Sequence, residues 1–227
     1  VQGPSSSCAV LQSGTVQCWG TGPLGDGSTV SKIPVTVAGL SDAVDVSIGP
    51  EHACAVRSGG QVACWGANGL GKLGDGSTTD SLVPVDVVGI TNAVDVVAAG
   101  EHTCAALADG GARCWGRGSD QRLGNGDTAD SPTPVVVSGV SDAVKVAATV
   151  GVSCAVLASH DVVCWGESFG SSPVSIGAAY GQVADLAMTD GMGCAVLVNG
   201  RIKCGASNND YGAYGDGTVT TPADPWN

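Results

Sequence analysis

Cys54-Ala55-Val56-Arg57-Ser58-Gly59-Gly60-Gln61-Val62-Ala63-Cys64-Trp65-Gly66 is the stretch whose reading decides the fold. It recurs five times with small changes: the first cysteine falls at 8, 54, 104, 154 and 194, the second at 18, 64, 114, 164 and 204. Every pair is ten residues apart and no cysteine is left over. Reading Cys54 to Val56 and Val62 to Cys64 as short antiparallel strands about Ser58-Gly59-Gly60 sets Val56 opposite Val62 and Cys54 opposite Cys64. Directly opposed residues in a non-hydrogen-bonded pair have Cα atoms ~4.5–5.5 Å apart, within reach of a disulfide. Ser13-Gly14, Gly59-Gly60, Asp109-Gly110-Gly111 and Asn199-Gly200 supply the positive φ that tight hairpins need. Ser159-His160-Asp161 lacks such a glycine, which predicts a fourth turn built differently.

Five identical spacings favour the local pairs 8–18, 54–64, 104–114, 154–164 and 194–204 over all other connectivities. In the chain-entropy description each short loop contributes only ~2–3 kcal/mol. Zinc is the rival use of paired thiols, but its ligands come closely spaced and converge in fours, unlike a ten-residue spacing without histidine partners. The sequence therefore predicts no metal and no cofactor. Disulfides persist in oxidising compartments, so the expected location is secreted, periplasmic or cell surface. Val1 begins no signal peptide, as expected of a mature or trimmed chain.

The 227 residues suffice for a single all-β domain over 1–227. Nine Lys and Arg against 21 Asp and Glu leave a formal charge of −12, which argues against a nucleic-acid partner and against anionic membrane surfaces. No apolar run approaches a membrane span, so no membrane insertion is expected.

A second unit alternates with the hairpins. Pro34 to Val46 aligns with Pro84 to Val96 and Pro134 to Val146, and a weaker copy runs from Pro173 to about Leu186. Each reads as two strands with period-2 valines, broken by a turn such as Gly39-Leu40-Ser41-Asp42. Four strands per repeat, over ~40–50 residues, is the grammar of a β-propeller blade. The repeats run about 1–33, 34–83, 84–133, 134–172 and 173–227.

Gly49-Pro50-Glu51-His52, Trp65-Gly66, Leu73-Gly74-Asp75-Gly76 and Pro84-Val85 follow one another in an order that resembles the regulator of chromosome condensation repeat family. The resemblance implies a propeller of four-stranded blades and covers nearly the whole chain. The cystine pairs depart from the nuclear members and look more like secreted bacterial relatives, which include propellers that inhibit β-lactamases.

Five hairpins stand against four Pro-Val units, so the chain counts as four blades and half of another, incomplete at both ends. Open strand edges need covering. Three readings follow: a piece of a longer chain forming a six- or seven-bladed ring, self-assembly through edges completed by a neighbouring molecule, or termini that close an unusual five-bladed ring. The first is preferred.

Candidate chemistry is sparse. Asp75, Ser77 and Asp80, like Asn125, Asp127 and Asp130, place oxygens at spacings that invite calcium, but the bidentate Glu of an EF-hand is missing and Asp in a glycine-rich turn also serves backbone N–H groups. Glu51-His52 and Glu101-His102 could do acid–base work, yet no nucleophile is free to partner them. The preferred reading is a structural histidine in each, with His160 exposed in its turn. Trp19, Trp65, Trp115 and Trp165 recur at one position, which favours packing against a neighbouring blade over sugar stacking, and leaves Trp226 as the exposed candidate.

The expected function is a non-catalytic extracellular binding scaffold, not an enzyme. The long loops and the Glu-His loops should share one rim because strands alternate in direction. Asp26, Glu51, His52, Asp75, Asp80, Glu101, His102, Asp127 and Asp130 are the binding candidates there, for a protein or a carbohydrate. The alternative is a structural module of an extracellular fibre, coat or adhesin.

Overall fold

A computed structural model describes residues 6–176, 181–189 and 192–206. Its strands form an all-β, five-bladed β-propeller of mostly four-stranded antiparallel sheets. Blade one holds β1 (Ser6–Val10), β2 (Val16–Thr21) and β3 (Val30–Thr36). Blade two holds β4 (Ala43–Ile48), β5 (His52–Arg57), β6 (Val62–Gly66) and β7 (Ser81–Asp86). Blade three holds β8 (Ala93–Ala98), β9 (His102–Leu107), β10 (Ala112–Gly116) and β11 (Ser131–Val136). Blade four holds β12 (Ala143–Ala148), β13 (Val152–Leu157), β14 (Val162–Gly166) and β15 (Gly170–Ser175). Blade five holds β16 (Val183–Thr189), β17 (Met192–Leu197) and β18 (Ile202–Ala206).

In blades two, three and four the cystine hairpin supplies the two middle strands, and in blades one and five the described residues pair with it on one side. Cys54 sits opposite Cys64 and Val56 opposite Val62, and the same register holds in the other four hairpins. The five disulfides join Cys8–Cys18, Cys54–Cys64, Cys104–Cys114, Cys154–Cys164 and Cys194–Cys204, with Cα atoms 4.0–4.1 Å apart. In the fifth hairpin Gly205 takes the place that Trp19 to Trp165 occupy in the others, opposite Gly193.

The Pro-Val units are not hairpins. The first strand of each unit pairs with the preceding cystine hairpin, as Val35 opposite Cys18 and Val85 opposite Cys64 show. The second strand opens the next blade, with Val46 opposite Ala55 and Val96 opposite Ala105. Repeat limits placed at 33/34, 83/84, 133/134 and 172/173 thus fall inside β3, β7, β11 and β15, not between sheets. The turn residues between the two strands cross from one blade to the next and plug the gap with Leu40, Ile90 and Val140, all buried.

Apolar clusters lie between successive blades. Val16, Cys18, Leu24 and Val37 of the first blade and its turns pack with Ala53, Ala55 and Trp65 of the second. Cys54, Val56, Leu73 and Val87 pack with Ala105, Leu107 and Trp115 in the same way, and Cys104, Leu123 and Val137 with Ala155 and Trp165. Small Ala and Val side chains on the facing strands let two sheets approach closely, and each Trp fills the remaining space against the blade before it.

The fourth hairpin turn has the same construction as the others, contrary to the expectation from its sequence. His160 N donates to Leu157 O at 2.8 Å, as Gly60 N does to Arg57 O at 2.8 Å. His160 takes φ 67° where Gly60 takes 80°. Histidine is among the few non-glycine residues that accept this region, and its Nδ1, 3.1 Å from Val183 O, ties the ring to the next blade. It is half-buried, not a free exposed side chain. The glycine of each Trp-Gly step has a stricter reason. At Gly66, φ is 117° and a Cβ would lie 2.4 Å from Glu51 O, so any side chain would collide with the turn that opens β5.

Candidate functional site

Inner strands run from the hairpin-turn side of the propeller to the loop side. Ala43 N donates to Gly14 O and Ser58 N to Asp42 O, which seats the start of β4 among hairpin turns. At its other end the β4–β5 turn meets the β6–β7 loop, where Ala67 N donates to Glu51 O. The long loops and the Glu-His turns therefore lie on one face.

The acidic candidates on that face are tied into their own loops. Asp75 Oδ1 accepts from Ser77 N at 2.9 Å, and Asp80 Oδ1 from Asn68 N at 2.7 Å. Asp130 Oδ1 accepts from Gly118 N at 2.9 Å, Asp127 Oδ1 from Thr128 N at 2.6 Å, and Asp26 Oδ1 from Ser28 N at 2.9 Å. Ser28 holds the exposed Asp26 carboxyl below the usual carboxylate range through its hydroxyl and its N–H. Asn68, fully buried, is the hub of the second loop: its Nδ2 reaches Ser77 O and Thr79 O at 3.1 Å, and its Oδ1 accepts from Leu73 N. These oxygens are occupied by backbone and amide donors, and among the described residues no group of three or more His, Cys, Asp or Glu side chains could hold a metal ion.

Glu51 and Glu101 are paired with cations that sequence reading overlooked. Lys72 Nζ lies 2.6 Å from Glu51 Oε2, and Arg117 bonds Glu101 Oε2. Arg122 Nη2 lies 2.6 Å from Asp120 Oδ2, and its Nη1 is 3.7 Å from Glu101. The Lys72 and Arg122 side chains are both only 4% exposed, charged heads included, and Arg122 Nε also donates to Ser119 O at 2.8 Å. Their occurrence fifty residues apart, just before Leu73 and Leu123, was the available signal.

His52 and His102 are fully buried and join successive blades. His52 Nε2 is 2.7 Å from Thr103 Oγ1, which donates to Lys72 O at 2.8 Å; Trp115 Nε1 donates to the same carbonyl at 2.8 Å. His102 Nε2, Ser153 Oγ, Arg122 O and Trp165 Nε1 repeat the arrangement one blade on. Since the hydroxyl proton goes to the carbonyl, the imidazole donates from Nε2, and Nδ1 is left without a hydrogen-bond partner. Burial pushes both imidazoles down to about 3, helped at His52 by Lys72 and His102 and at His102 by Arg122. A histidine that is neutral and sealed from solvent clamps blades together; it is not placed to exchange protons with a substrate. Replacing Thr103 by valine keeps the shape but strands the His52 N–H in an apolar gap. Chemical denaturation should show a loss of about 1–3 kcal/mol, and a midpoint equal to the parent's would remove the hydroxyl from the clamp.

Trp226 lies outside the described residues. Trp65, Trp115 and Trp165 are fully buried between blades.

Residues 59–106 and 109–156 match the regulator of chromosome condensation (RCC1) repeat, and a second profile of that repeat matches residues 43–72. No curated protein matches the chain by sequence. Among solved structures, human WBSCR16 is similar at 20% identity with a TM-score of 0.84, over 99% of this chain and 65% of that one. Yeast RCC1 (Prp20), solved bound to Kap60, is similar at 18% identity with a TM-score of 0.79, over 98% of this chain and 58% of that one. Prp20p from Saccharomyces cerevisiae, solved alongside its binding to Gsp1p and histones, gives 18% identity and a TM-score of 0.79, over 96% and 59%. The chain thus spans about three fifths of the length of these structures.

The expected likeness to secreted bacterial relatives, and with it a secreted, periplasmic or cell-surface location, is overturned by these matches. These three structures are of yeast and human proteins, and histones, which one of them binds, are intracellular. An extracellular fibre, coat or adhesin gains no support from them. Residues 43–106 and 109–156 carry the RCC1 repeat, and the chain as a whole shares the propeller fold of yeast RCC1.

Proposed function

We propose that this chain is a non-catalytic scaffold that recognises a protein with a cationic surface through its loop face. The observation that carries the reading is charge on a stiff frame. Between the strands on that side, loops 22–29, 49–51, 67–80, 99–101, 117–130, 149–151 and 167–169 hold nine carboxylates against Lys72, Arg117 and Arg122. Those three cations are consumed by Glu51, Glu101 and Asp120. An excess of carboxylates presented by hydrogen-bonded turns steers a basic partner and sets its orientation at little ordering cost. The yeast structures, which are similar in fold, are of a protein that binds Kap60, Gsp1p and histones. A carbohydrate has less support, because Trp65, Trp115 and Trp165 are buried between blades and offer no stacking surface.

The test uses purified core histones as the cationic probe, titrated at low and moderate salt. Asp26→Asn, Asp127→Asn and Glu167→Gln combined should weaken binding at least ~5-fold at low salt and flatten the salt dependence. Asp109→Asn with Asp142→Asn, on the hairpin-turn face, should change it less than ~2-fold. Equal losses from both sets, or ordered filaments of the protein alone, would overturn the reading, the second in favour of a structural module.

A further inference from the structure

The inner strands β4, β8, β12 and β16 line an open cavity of about 420 Å³. Each contributes one charged residue at the same place in its strand: Asp45, Asp95, Lys145 and Asp185. Val146 N donates to Asp95 Oδ2 at 2.7 Å, and Lys145 Nζ lies 3.4 Å from Asp185 Oδ1. Three carboxylates thus share one ammonium. The imbalance is felt at Asp95: burial pushes its carboxyl up to about 6, and Asp45 and Asp185 add to the rise against the Val146 N–H and Lys145. Burial works against the Lys145 ammonium, but Asp95, Asp185 and Asp45 outweigh it and hold its pKa above the ordinary lysine range.

One residue before these charges, Val44, Val94 and Val144 are 60%, 48% and 44% exposed. Each sits where the inner strand bulges against its neighbour, at the end that lies among the hairpin turns. Strands β4, β8 and β12 pack side by side, so three exposed valines stand next in sequence to Asp45, Asp95 and Lys145 on the hairpin-turn side. The volume takes one or two long side chains and no folded element.

We propose that this channel docks a basic segment of a protein partner, which inserts one lysine or arginine side chain among Asp45, Asp95 and Asp185 and rests apolar flanks on Val44, Val94 and Val144. The site lies on the hairpin-turn side and does not depend on the loop-face reading. A flexible basic side chain suits it because an aliphatic stem can lie along the exposed valines while the charged head meets the carboxylates. Lys145 is the internal competitor for those carboxylates, and removing its charge should strengthen capture of an external cation.

The probe is a capped peptide of sequence Ser-Val-Arg-Val-Ser, titrated calorimetrically against the whole chain, beside its citrulline analogue and spermidine. Lys145→Met should tighten the arginine peptide at least ~5-fold, and Asp45→Asn with Asp185→Asn should weaken it at least ~10-fold, as expected for charge-assisted contacts. At pH 6 binding should release protons from Asp95, read as a dependence of the heat on buffer ionisation. A variant that merely misfolds cannot bind more tightly, so the Lys145→Met result separates recognition from damage. The proposal is overturned if the citrulline peptide binds equally, if the channel substitutions leave affinity unchanged, or if spermidine matches the peptide, which would make the cavity a small-molecule site.

Discussion

Reducing the five cystines and blocking the ten thiols should remove most of the stability of this propeller. Each bridge closes a loop of ten residues, worth ~2–3 kcal/mol in the chain-entropy description. The bridges lie in separate blades, so their contributions should add approximately, to about 10–15 kcal/mol. That is comparable with the whole unfolding free energy of an ordinary domain, about 5–15 kcal/mol. Packing makes the consequence sharper. Cys54, Cys64, Cys104 and Cys114 are fully buried, and the hairpins of blades two, three and four have strands paired on both flanks. Denaturant titration of the reduced, blocked protein should show either no cooperative transition or one shifted far down. Replacing the single pair Cys104 and Cys114 by alanine should cost about 2–3 kcal/mol. A reduced protein with an unchanged midpoint would mean that the sheets and blade interfaces suffice alone.

Acid should destabilise the fold well before the carboxylates as a class are protonated. His52 and His102 titrate at about 3 in the folded protein, but near 6.5 when unfolded. Below 6.5 the unfolded chain therefore binds up to two more protons, and stability is lost as pH falls towards 3, at most about 2.7 kcal/mol per pH unit. Asp95 opposes this. Its folded carboxyl titrates at about 6, so between roughly 4 and 6 the folded state holds the extra proton and gains on acidification. Net loss in that window corresponds to about one proton, about 1.4 kcal/mol per unit, or about 3 kcal/mol from pH 6 to pH 4. Denaturant midpoints across pH 7 to 4 should fall accordingly. Replacing both histidines by glutamine should reverse the slope between about pH 6 and 4, leaving the gain from Asp95, whereas Asp95→Asn should steepen it. A flat profile in the parent protein would show that both imidazoles reach solvent.

Much of the fold is legible in the sequence because the decisive interactions are local. Ten residues between cysteines, with a turn at the centre, leave one register in which both thiols lie opposite each other, and five copies of that hairpin announce a propeller. The same local reading failed where a strand had two candidate neighbours. Gly39-Leu40-Ser41-Asp42 looks like a hairpin turn between period-2 valines, yet Val35 pairs back to Cys18 while Val46 pairs forward to Ala55. A turn sequence states that the chain bends; only the packing of whole sheets states which edge each strand meets.

The site shows the same division. The position of the loops on one face followed from strand alternation alone, and so did the acidic excess. That Glu51 faces Lys72 and that Thr103 completes a clamp from His52 to Lys72 O could not be read from spacing, because those partners come from different loops or different blades. The channel charges were visible as Asp45, Asp95, Lys145 and Asp185 in a repeating unit, but their meeting in one cavity depends on the inner strands of successive blades converging there. By itself the sequence determined what a short stretch must do to satisfy its own backbone and thiols. The tertiary structure decided which residues about fifty positions apart share a carbonyl or a charge, since burial between blades selects those partners and no local rule does.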